Sequence, residues 1–361
     1  MAQAQLEIFG DRQRAAETKP VSDEGAHRGD LSAEEVQSYE RVVVAFSGGK
    51  DSISCVLHLM ELGVAPSSIE LWHHEVDGRE GLDDGDVHGL MDWPCTPGYC
   101  RSVADALGIE IYFSWKFGGF RREMMREDEK TAGVAFETPE GTVERVGGNN
   151  GKKNTRRMFP QVSASLTTRW CSSYLKVMVA SAALRHQPRF RSGRTLFVTG
   201  ERAEESANRK EYATFEPHRA DLRDGKRYQR HIDHWRPVHG WSEEEVWDIL
   251  RRWSIRPHPA YVLGWGRVSC MTCIFGSANQ WATVKTVDPE RFEEIAQLEE
   301  EFGVTIHRTK SVRELAAIGV PYDDIEPEVV SDALDPEYSK GAIVETWSEP
   351  SGAYGESCGP I

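Results

Sequence analysis

The sequence has no apolar run that approaches the roughly 20 residues needed for a membrane-spanning helix. Residues 1–6 lack the basic flank and apolar core of a secretory signal, so we expect none. Basic residues are also fewer than acidic ones: the sequence has 43 lysines and arginines and 58 acidic residues, which gives a net charge of −15. This balance argues against a general polyanion-binding surface, although it leaves room for a local basic groove. Seven unevenly spaced cysteines do not suggest a secreted disulfide framework. We therefore expect a cytoplasmic protein that makes no membrane contact, with cysteines that are thiols or metal ligands.

The most informative stretch of the chain is a strand, a glycine turn and a helix in direct succession. Residues 42–46 are apolar and rich in β-branched side chains, as in a buried parallel strand. Ser47-Gly48-Gly49-Lys50-Asp51-Ser52 follows, and residues 52–62 predict a helix that ends at Gly63. Because unpaired N–H groups and the positive dipole end converge at such a turn, the stretch predicts an anion site.

Further strands are predicted at 69–74, 109–115 and 195–199, with helices between them. This alternation predicts an α/β fold with a doubly wound, mainly parallel sheet, Rossmann-like, and a helical C-terminal part. Polar side chains follow two of these strands, at the sheet edge where ligands bind in open α/β sheets. Asp77 follows the second strand. After the fourth strand come Gly200 and the polar residues Arg202 and Arg209. A histidine at such a place is more often structural than catalytic, and the pair His73-His74 beside Asp77 narrows this preference without reversing it.

Residues 117–160 interrupt the alternation and predict an insertion beside the active site, with a charged helix around residues 121–130. Its end, residues 152–157, is basic in an acidic protein and is a candidate phosphate or nucleic-acid contact, although a solvated face is the commoner reason for such a run. We expect a disordered leader at 1–30, a nucleotide-binding domain at 31–280, a helical extension at 281–325 and a loose tail at 326–361.

Cys270-Met271-Thr272-Cys273 has the spacing by which one loop presents two thiolates to one metal. An iron–sulfur cluster, zinc and unliganded thiols all remain open on this pattern.

Five blocks, at 47–52, 169–176, 200–209, 237–247 and 261–273, together resemble the phosphoadenosine phosphosulfate (PAPS) reductase family of the PP-loop ATP pyrophosphatase superfamily. The resemblance implies an adenine nucleotide alpha-hydrolase-like fold, whose loop binds the pyrophosphate of ATP or the phosphosulfate of PAPS. It also implies Mg²⁺ near Asp51 and a further anion contact from Arg209. The implied catalytic residues are Lys50, Asp51 and Arg202.

The same resemblance implies that Cys171 lies near Cys270 and Cys273. Three thiolates could hold a [4Fe–4S] cluster, with zinc as the second choice, and Cys95 or Cys100 could supply a fourth ligand. The residue after Cys171 is Ser172, so the two adjacent cysteines of the cluster-bearing reductases are incomplete here.

Two enzymatic functions follow from the resemblance. The first is an ATP pyrophosphatase that activates an acceptor for sulfur transfer, as in the DNA phosphorothioation members, with a sulfur-donor protein such as a cysteine desulfurase. The second is a sulfonucleotide reductase that forms sulfite with a tail thiol, for which Cys358 is the candidate. A non-catalytic nucleotide-binding subunit is the third possibility. For the first function we expect Lys50 to face solvent, and truncation after about residue 330 to leave ATP cleavage intact.

Overall fold

A computed structural model of the protein describes residues 31–79, 89–163, 165–323 and 325–356. The predicted leader and Cys358 lie outside these residues. Within them, eight strands form one sheet. The strands are β1 (Arg41–Ala45), β2 (Ile69–Glu75), β3 (Glu110–Lys116), β4 (Val134–Glu137), β5 (Val143–Val146), β6 (Arg194–Val198), β7 (Phe215–Pro217) and β8 (His231–Trp235).

The order of the strands in the sheet is β5-β4-β3-β2-β1-β6-β8-β7. The five strands from β3 to β8 in this order run parallel, and β4, β5 and β7 are antiparallel additions at the two edges. The chain winds outward from β1 through β2 to β3 and then returns to place β6 on the other side of β1. The predicted doubly wound, mainly parallel sheet is thus confirmed, and its switch point lies between β1 and β6.

The central strand shows why the sheet needs helices on both faces. Val42 and Val44 are buried in the larger hydrophobic core, whereas Val43 is buried in the smaller core on the opposite face. Successive side chains of a strand point to opposite faces, so a run of valines supplies both cores at once.

Helices cover both faces and build the C-terminal part. They are α1 (Ala33–Gln37), α2 (Lys50–Glu61), α3 (Thr96–Leu107), α4 (Gly119–Met125), α5 (Trp170–Ser172), α6 (Met178–His186), α7 (Ala207–Lys210), α8 (Glu243–Arg252), α9 (Pro259–Val262), α10 (Ala278–Val287), α11 (Pro289–Phe302), α12 (Val312–Ile318) and α13 (Pro327–Leu334). The Ser-x-x-Glu patterns at Ser32, Ser242 and Ser311 form capping boxes at the starts of α1, α8 and α12. None of these helices has the length and hydropathy to cross a membrane.

The segment 117–160 forms a shorter helix than predicted, together with a hairpin that the sequence did not indicate. Helix α4 ends at Met125, and Arg126 has extended backbone angles. The reason is that Arg126 turns inward to pair with Glu123, and both side chains are buried. Strands β4 and β5 then extend the sheet beyond β3.

The expected loose tail is wrong for the described residues after 326. Residues 327–334 form α13, Tyr338 and Ala342 are buried, and Ile343 bridges to Ile255. The apolar side chains of this segment are few, but Ala333, Tyr338 and Ala342 are buried in the larger hydrophobic core. The domain boundaries proposed from the sequence stay predictions.

Candidate active site

The glycine turn after β1 adopts the strand–turn–helix form that its sequence predicts. Gly48 has a φ of +74°, and a Cβ there would lie 3.0 Å from the sulfur of Cys100. Gly49 is the N-cap of α2. The hydroxyl of Ser52 donates to the carbonyl of Gly49 (2.9 Å), and the backbone N–H of Ser47 donates to the Ser52 hydroxyl (3.3 Å). The turn is therefore held in one compact conformation at the N-terminus of a helix.

Lys50 does not face solvent, so this expectation is wrong. Its side chain is 2% exposed, and its Nζ donates to the carbonyl of Gly266 (2.9 Å) and pairs with Glu243 (3.2 Å). The ammonium group also lies 5.4 Å from the ring centre of Tyr261, whose hydroxyl accepts from the Lys50 backbone N–H (2.9 Å). As the first residue of α2, Lys50 points its side chain away from the sheet edge and towards the start of α8. The Lys50 side chain therefore has a structural role in this conformation.

Asp51 and Arg202 neutralise each other beneath the turn. Nε of Arg202 donates to the Asp51 carboxylate (2.5 Å), and the Arg202 side chain is 3% exposed. Burial alone would raise the pKa of Asp51, but the positive charges of Lys50 and Arg202 hold it below its ordinary value. Gly200 makes this contact possible, because a Cβ there would lie 2.8 Å from the backbone of Asp51. The pair joins the turn to the segment after β6. Arg202 is therefore not free to bind an anion, and Asp51 is not free to bind Mg²⁺.

A cavity of about 760 Å³ lies at the carboxyl ends of β1, β2 and β6, and we call it the nucleotide cavity. This volume falls within the range of about 300–1,000 Å³ typical of small-molecule sites. Ser47 lines it at the end of β1, and His73 and Thr199 line it at the ends of β2 and β6. Of the residues predicted for the site, those in the wall are Ser47, Arg209, Cys171, Cys270 and Cys273. The other predicted residues do not line the cavity, namely Gly48, Gly49, Lys50, Asp51, Ser52, Asp77, Gly200 and Arg202.

Four basic side chains line the nucleotide cavity, and they differ in whether they form an ion pair with a carboxylate. Arg209 and Arg267 both pair with Glu205. Arg169 and Lys176 have no carboxylate within ion-pair distance in the described parts of the chain. Desolvation lowers the pKa of Arg169, as expected for a cation that lacks a compensating charge. These two unpaired cations are the groups best placed to bind an anionic ligand. The sequence prediction omitted both, although each belongs to the block at 169–176.

The three predicted cysteines line the same cavity, next to Lys176. Cys171 belongs to α5, and a π-helical turn (Ser173–Val177) follows it and carries Lys176. Such turns often occur at functional sites. Cys270 and Cys273 lie in the loop after α9, which Thr272 anchors by donating from its hydroxyl to the carbonyl of Leu90 (2.8 Å).

The thiols are protonated at neutral pH in this conformation. Burial raises the pKa of Cys171, with a further contribution from Cys273, and burial raises the pKa of Cys270 and of Cys273 as well. No group of three or more His, Cys, Asp or Glu side chains among the described residues is arranged to hold a metal ion. Thiolates are the donors that zinc and iron–sulfur clusters prefer, but here they would have to lose protons and move closer together.

A sequence model of the phosphoadenosine phosphosulfate reductase domain matches residues 127–275. This part of the chain is therefore similar to a PAPS reductase domain. The match is less than half of the chain, and it includes the two unpaired cations, the segment 200–209 and the three cysteines. It begins after the glycine turn at 47–52. The match supports an enzyme of this family.

Two similar proteins illustrate how far the likeness extends. The chain is 34% identical over 65 residues to an uncharacterized 37.8 kDa protein in the gpa 5′ region of Escherichia phage 186, which is 18% of this chain and 20% of that protein. It therefore spans only about a fifth of that relative. A PAPS reductase from Candida auris, solved as a phosphate complex, is similar at 15% identity and a TM-score of 0.32, over 65% of this chain and 86% of that one.

Asp77 positions part of the cavity wall through backbone hydrogen bonds. Its carboxylate accepts from the backbone N–H groups of Met91 (2.9 Å) and Asp92 (2.8 Å). Burial raises its pKa to about 6, partly offset by these hydrogen bonds. Asp77 therefore fixes the stretch that brings Met91 and Asp92 into the cavity wall. It does not reach the cavity itself.

The two histidines of β2 tie the sheet together, as the sequence favoured. Nδ1 of His73 lies 2.9 Å from the carbonyl of Phe46, and Nδ1 of His74 lies 2.7 Å from the hydroxyl of Ser114. A carbonyl only accepts, so Nδ1 of His73 carries the proton. Burial lowers the pKa of His73 to about 4 and that of His74 to about 3, which makes both imidazoles neutral.

The two arginines of the basic run at 152–157 make ion pairs within the protein. Arg156 is 10% exposed, pairs with Glu123 and stacks against Trp170. Arg157 pairs with Glu127 and Glu301. Arg156 and Arg157 are therefore not available for a continuous nucleic-acid contact, because both already have partners within the protein.

Proposed function

We propose that this chain is a nucleotide-dependent enzyme of sulfur chemistry that cleaves ATP to AMP and pyrophosphate and so activates an acceptor for sulfur transfer. The observation that carries the proposal is the composition of one cavity. Ser47 of the glycine turn, the unpaired cations Arg169 and Lys176 and the three thiols all line it. Anion binding and sulfur chemistry thus share one volume at the switch point of the sheet.

The basic residues of the cavity have different roles according to their position. Arg169 and Lys176 bind phosphate oxygens and stabilise the charge that develops on departing pyrophosphate. Arg209 and Arg267, held in place by Glu205, border the same cavity. An acceptor oxygen attacks the α-phosphorus, a P–O bond to the acceptor forms, and the bond to the β-phosphate breaks. A sulfur nucleophile then displaces AMP from the acceptor, so the net products are AMP, pyrophosphate and the sulfur-bearing acceptor.

Mg²⁺ would accompany ATP, and the residues able to hold it differ from the sequence prediction. The carboxylate of Asp51 is engaged by Arg202, whereas Asp92 and Glu201 line the cavity, although Glu201 also pairs with Arg236. Hard cations prefer such ligands and bridge phosphate oxygens, which spreads the phosphate charge.

The acceptor in this proposal is a nucleic acid, as in DNA phosphorothioate modification, and the sulfur comes from a donor protein such as a cysteine desulfurase. The support is the resemblance at 47–52 and 169–176. The proposed metal is a [4Fe–4S] cluster at Cys171, Cys270 and Cys273, with zinc as the alternative.

We expect the full-length protein to release AMP and pyrophosphate from ATP in the presence of Mg²⁺ and an oligonucleotide. Arg169→Gln and Lys176→Gln should each lower kcat/KM for ATP about 100-fold, the order expected when a cation stabilising the transition state is lost. Lys210→Gln removes an exposed charge outside the cavity and is the matched control. Wild-type rates in both cavity variants would contradict the assignment.

One observation favours a second candidate, a sulfonucleotide reductase. The carboxylate of Glu356 accepts from the Ser277 hydroxyl (2.6 Å) and the Asn279 amide (3.1 Å), so the end of the described chain is anchored just after the Cys273 loop. Assay of the same protein with PAPS and a thiol reductant separates the two. Sulfite release that Cys358→Ser abolishes would establish the reductase and refute ATP cleavage as the activity. Nucleotide binding without turnover of either substrate would indicate a non-catalytic subunit.

A metal at the three thiols has its own test. Protein purified without oxygen should be brown and hold iron and sulfide at about four each per chain, as for a cubane cluster. Cys270→Ser should remove most of this iron, whereas Cys55→Ser, at a buried thiol outside the cavity, should leave it unchanged. Colourless protein with one zinc per chain would replace the cluster with a zinc site, and protein active without metal would remove both.

A further inference from the structure

A strongly basic surface lies at the edge of the sheet opposite the nucleotide cavity, and we call it the amino-edge surface. It is built by two segments, 185–194 and 218–230, which lead into the parallel strands β6 and β8. The first segment has four arginines, and the second has four arginines, one lysine and two aspartates. The net charge of the whole chain is −15, so positive charge is concentrated in these segments.

Three of these arginines already have carboxylate partners. Arg189 pairs with a glutamate of β2, and Arg194 pairs with Asp233. Arg223 pairs with Asp221 and with Asp233. The other basic side chains of the two segments have no carboxylate within ion-pair distance in the parts of the chain that the structure describes, namely Arg185, Arg191, Arg219, Lys226, Arg227 and Arg230. The surface therefore carries several positive charges that no ion pair within these parts neutralises.

Backbone carbonyls hold some of these guanidinium groups close together. Nε of Arg230 donates to the carbonyl of Ala220 (2.7 Å), and its Nη1 donates to the carbonyl of Arg185 (3.4 Å). Nη2 of Arg185 in turn donates to the carbonyl of Arg219 (3.4 Å). A carbonyl orients a guanidinium group but has no net charge to neutralise it. Desolvation lowers the pKa of Arg185, and the charges of Arg230 and Arg219 lower it further, as expected for cations that repel one another.

An exposed aromatic ring lies among these cations. Tyr228 is 40% exposed, and the guanidinium groups of Arg191 and Arg230 lie 5.1 Å and 5.9 Å from its ring centre. Such contacts orient an arginine at a ring and leave its charge available to an anion. Rings of this kind beside a basic groove bind single-stranded nucleic acids, because a base stacks on the ring while the cations contact the backbone.

The loop that carries Tyr228 is closed at its base. Leu222 and Arg230 form an antiparallel bridge, in which the backbone N–H of each donates to the carbonyl of the other (2.8 Å and 3.2 Å). A Cβ at Gly225 would lie 2.2 Å from the carbonyl oxygen of Tyr228, so the loop requires glycine there. These contacts hold the ring in a defined position beside Arg191.

We propose that the amino-edge surface binds single-stranded nucleic acid, with a base stacked on Tyr228 and phosphates on the neighbouring arginines. That this strand is also the acceptor rests on the proposed function. Strand β6 has five residues and separates the two edges by about 17 Å, so a strand that rises ~3.4 Å per nucleotide needs at least about five nucleotides to reach the nucleotide cavity.

The exposed apolar side chains of the surface favour a nucleic acid over a protein partner. Of the large apolar side chains that are exposed, only Leu222 and Tyr228 belong to the two segments. A protein partner would find no extended apolar core there, whereas stacking of a base needs a single ring.

The test measures binding of a fluorescent oligothymidylate to the full-length protein at several salt concentrations. The double variant Arg191→Gln/Arg227→Gln should raise Kd about tenfold at low salt and reduce the slope of log K against log salt by about 1.4, which is ~0.7 for each phosphate contact of a single strand. Arg251→Gln/Arg313→Gln removes the same charge at exposed arginines of α8 and α12 and is the matched control. It should leave Kd and the slope nearly unchanged.

The aromatic ring has a separate signature. Tyr228→Ala should raise Kd about fivefold or more, because a stacked base is lost, and it should leave the salt slope unchanged, because no charge is removed. Tyr228→Phe keeps the ring and should bind like the wild-type protein. Normal binding by the phenylalanine variant distinguishes stacking from misfolding.

Unchanged Kd and slope in the double variant Arg191→Gln/Arg227→Gln, or equal losses in the control, would overturn the inference. Competition by polyglutamate that is as effective as competition by unlabelled oligothymidylate would also overturn it, in favour of an acidic protein partner. ATP cleavage is measured on the same preparations without DNA. If cleavage persists while the oligonucleotide result fails, only this inference falls. If PAPS is reduced and ATP is not cleaved, the proposed function falls instead, whatever the oligonucleotide result.

Discussion

Replacing Lys50 with alanine is expected to lower the free energy of unfolding by about 3 kcal/mol, at the lower end of the cost of breaking a buried ion pair. The substitution removes the only cation that pairs with Glu243 among the described residues, and it leaves the carbonyl of Gly266 without its donor. Glu243 is partly exposed and can be hydrated again, which keeps the cost at the lower end. Urea unfolding followed by tryptophan fluorescence measures this change.

The controls for Lys50 separate the ion pair from packing. Lys50→Met keeps most of the apolar stem and removes the ammonium that lies 5.7 Å and 5.4 Å from the ring centres of Trp247 and Tyr261, so its cost should come mainly from the lost charge. In the double variant Lys50→Ala/Glu243→Ala, part of the loss should be recovered, because no carboxylate is left unpaired. Lys50→Ala with unchanged unfolding and strongly weakened ATP binding would show instead that the ammonium turns towards the nucleotide cavity.

Truncation after residue 330 is expected to destabilise the whole protein, contrary to the expectation from the sequence. The segment removed buries Tyr338 and accepts or donates backbone hydrogen bonds at Ala342, Val344 and Gly352. One buried aromatic side chain at about 2 kcal/mol and three hydrogen bonds at about 1 kcal/mol each sum to about 5 kcal/mol. For a chain of this size that loss corresponds to a fall in Tm of about 7 °C.

A shorter truncation is the matched control for the tail. Ending the chain at Glu356 removes Cys358 but keeps the contacts just described, so its Tm should match that of the full-length protein. Scanning calorimetry on the two truncated proteins makes the comparison. Equal melting temperatures would mean that residues 331–356 add little stability, and ATP cleavage by the longer form would show that Cys358 is dispensable.

The sequence alone was enough for those features that depend on neighbours along the chain. A run of β-branched residues predicts the central strand, two glycines predict the turn, and Ser-x-x-Glu predicts where three helices begin. Each is a local preference, settled by backbone sterics and by hydrogen bonds within a few residues. The alternation of strands and helices then limits the topology to a doubly wound sheet.

Only the tertiary structure decided where the charged side chains of the site point. Lys50 and Arg202 belong to blocks that indicate anion binding, yet long-range partners bury both of them. Arg169 and Lys176, which carried no prediction of their own, lie in the cavity wall without a carboxylate at ion-pair distance among the described residues. Whether a cation is free depends on the carboxylates that the fold brings beside it, and no local pattern contains that information. The ordered tail has the same cause, because its few apolar residues find their partners far away in the sequence.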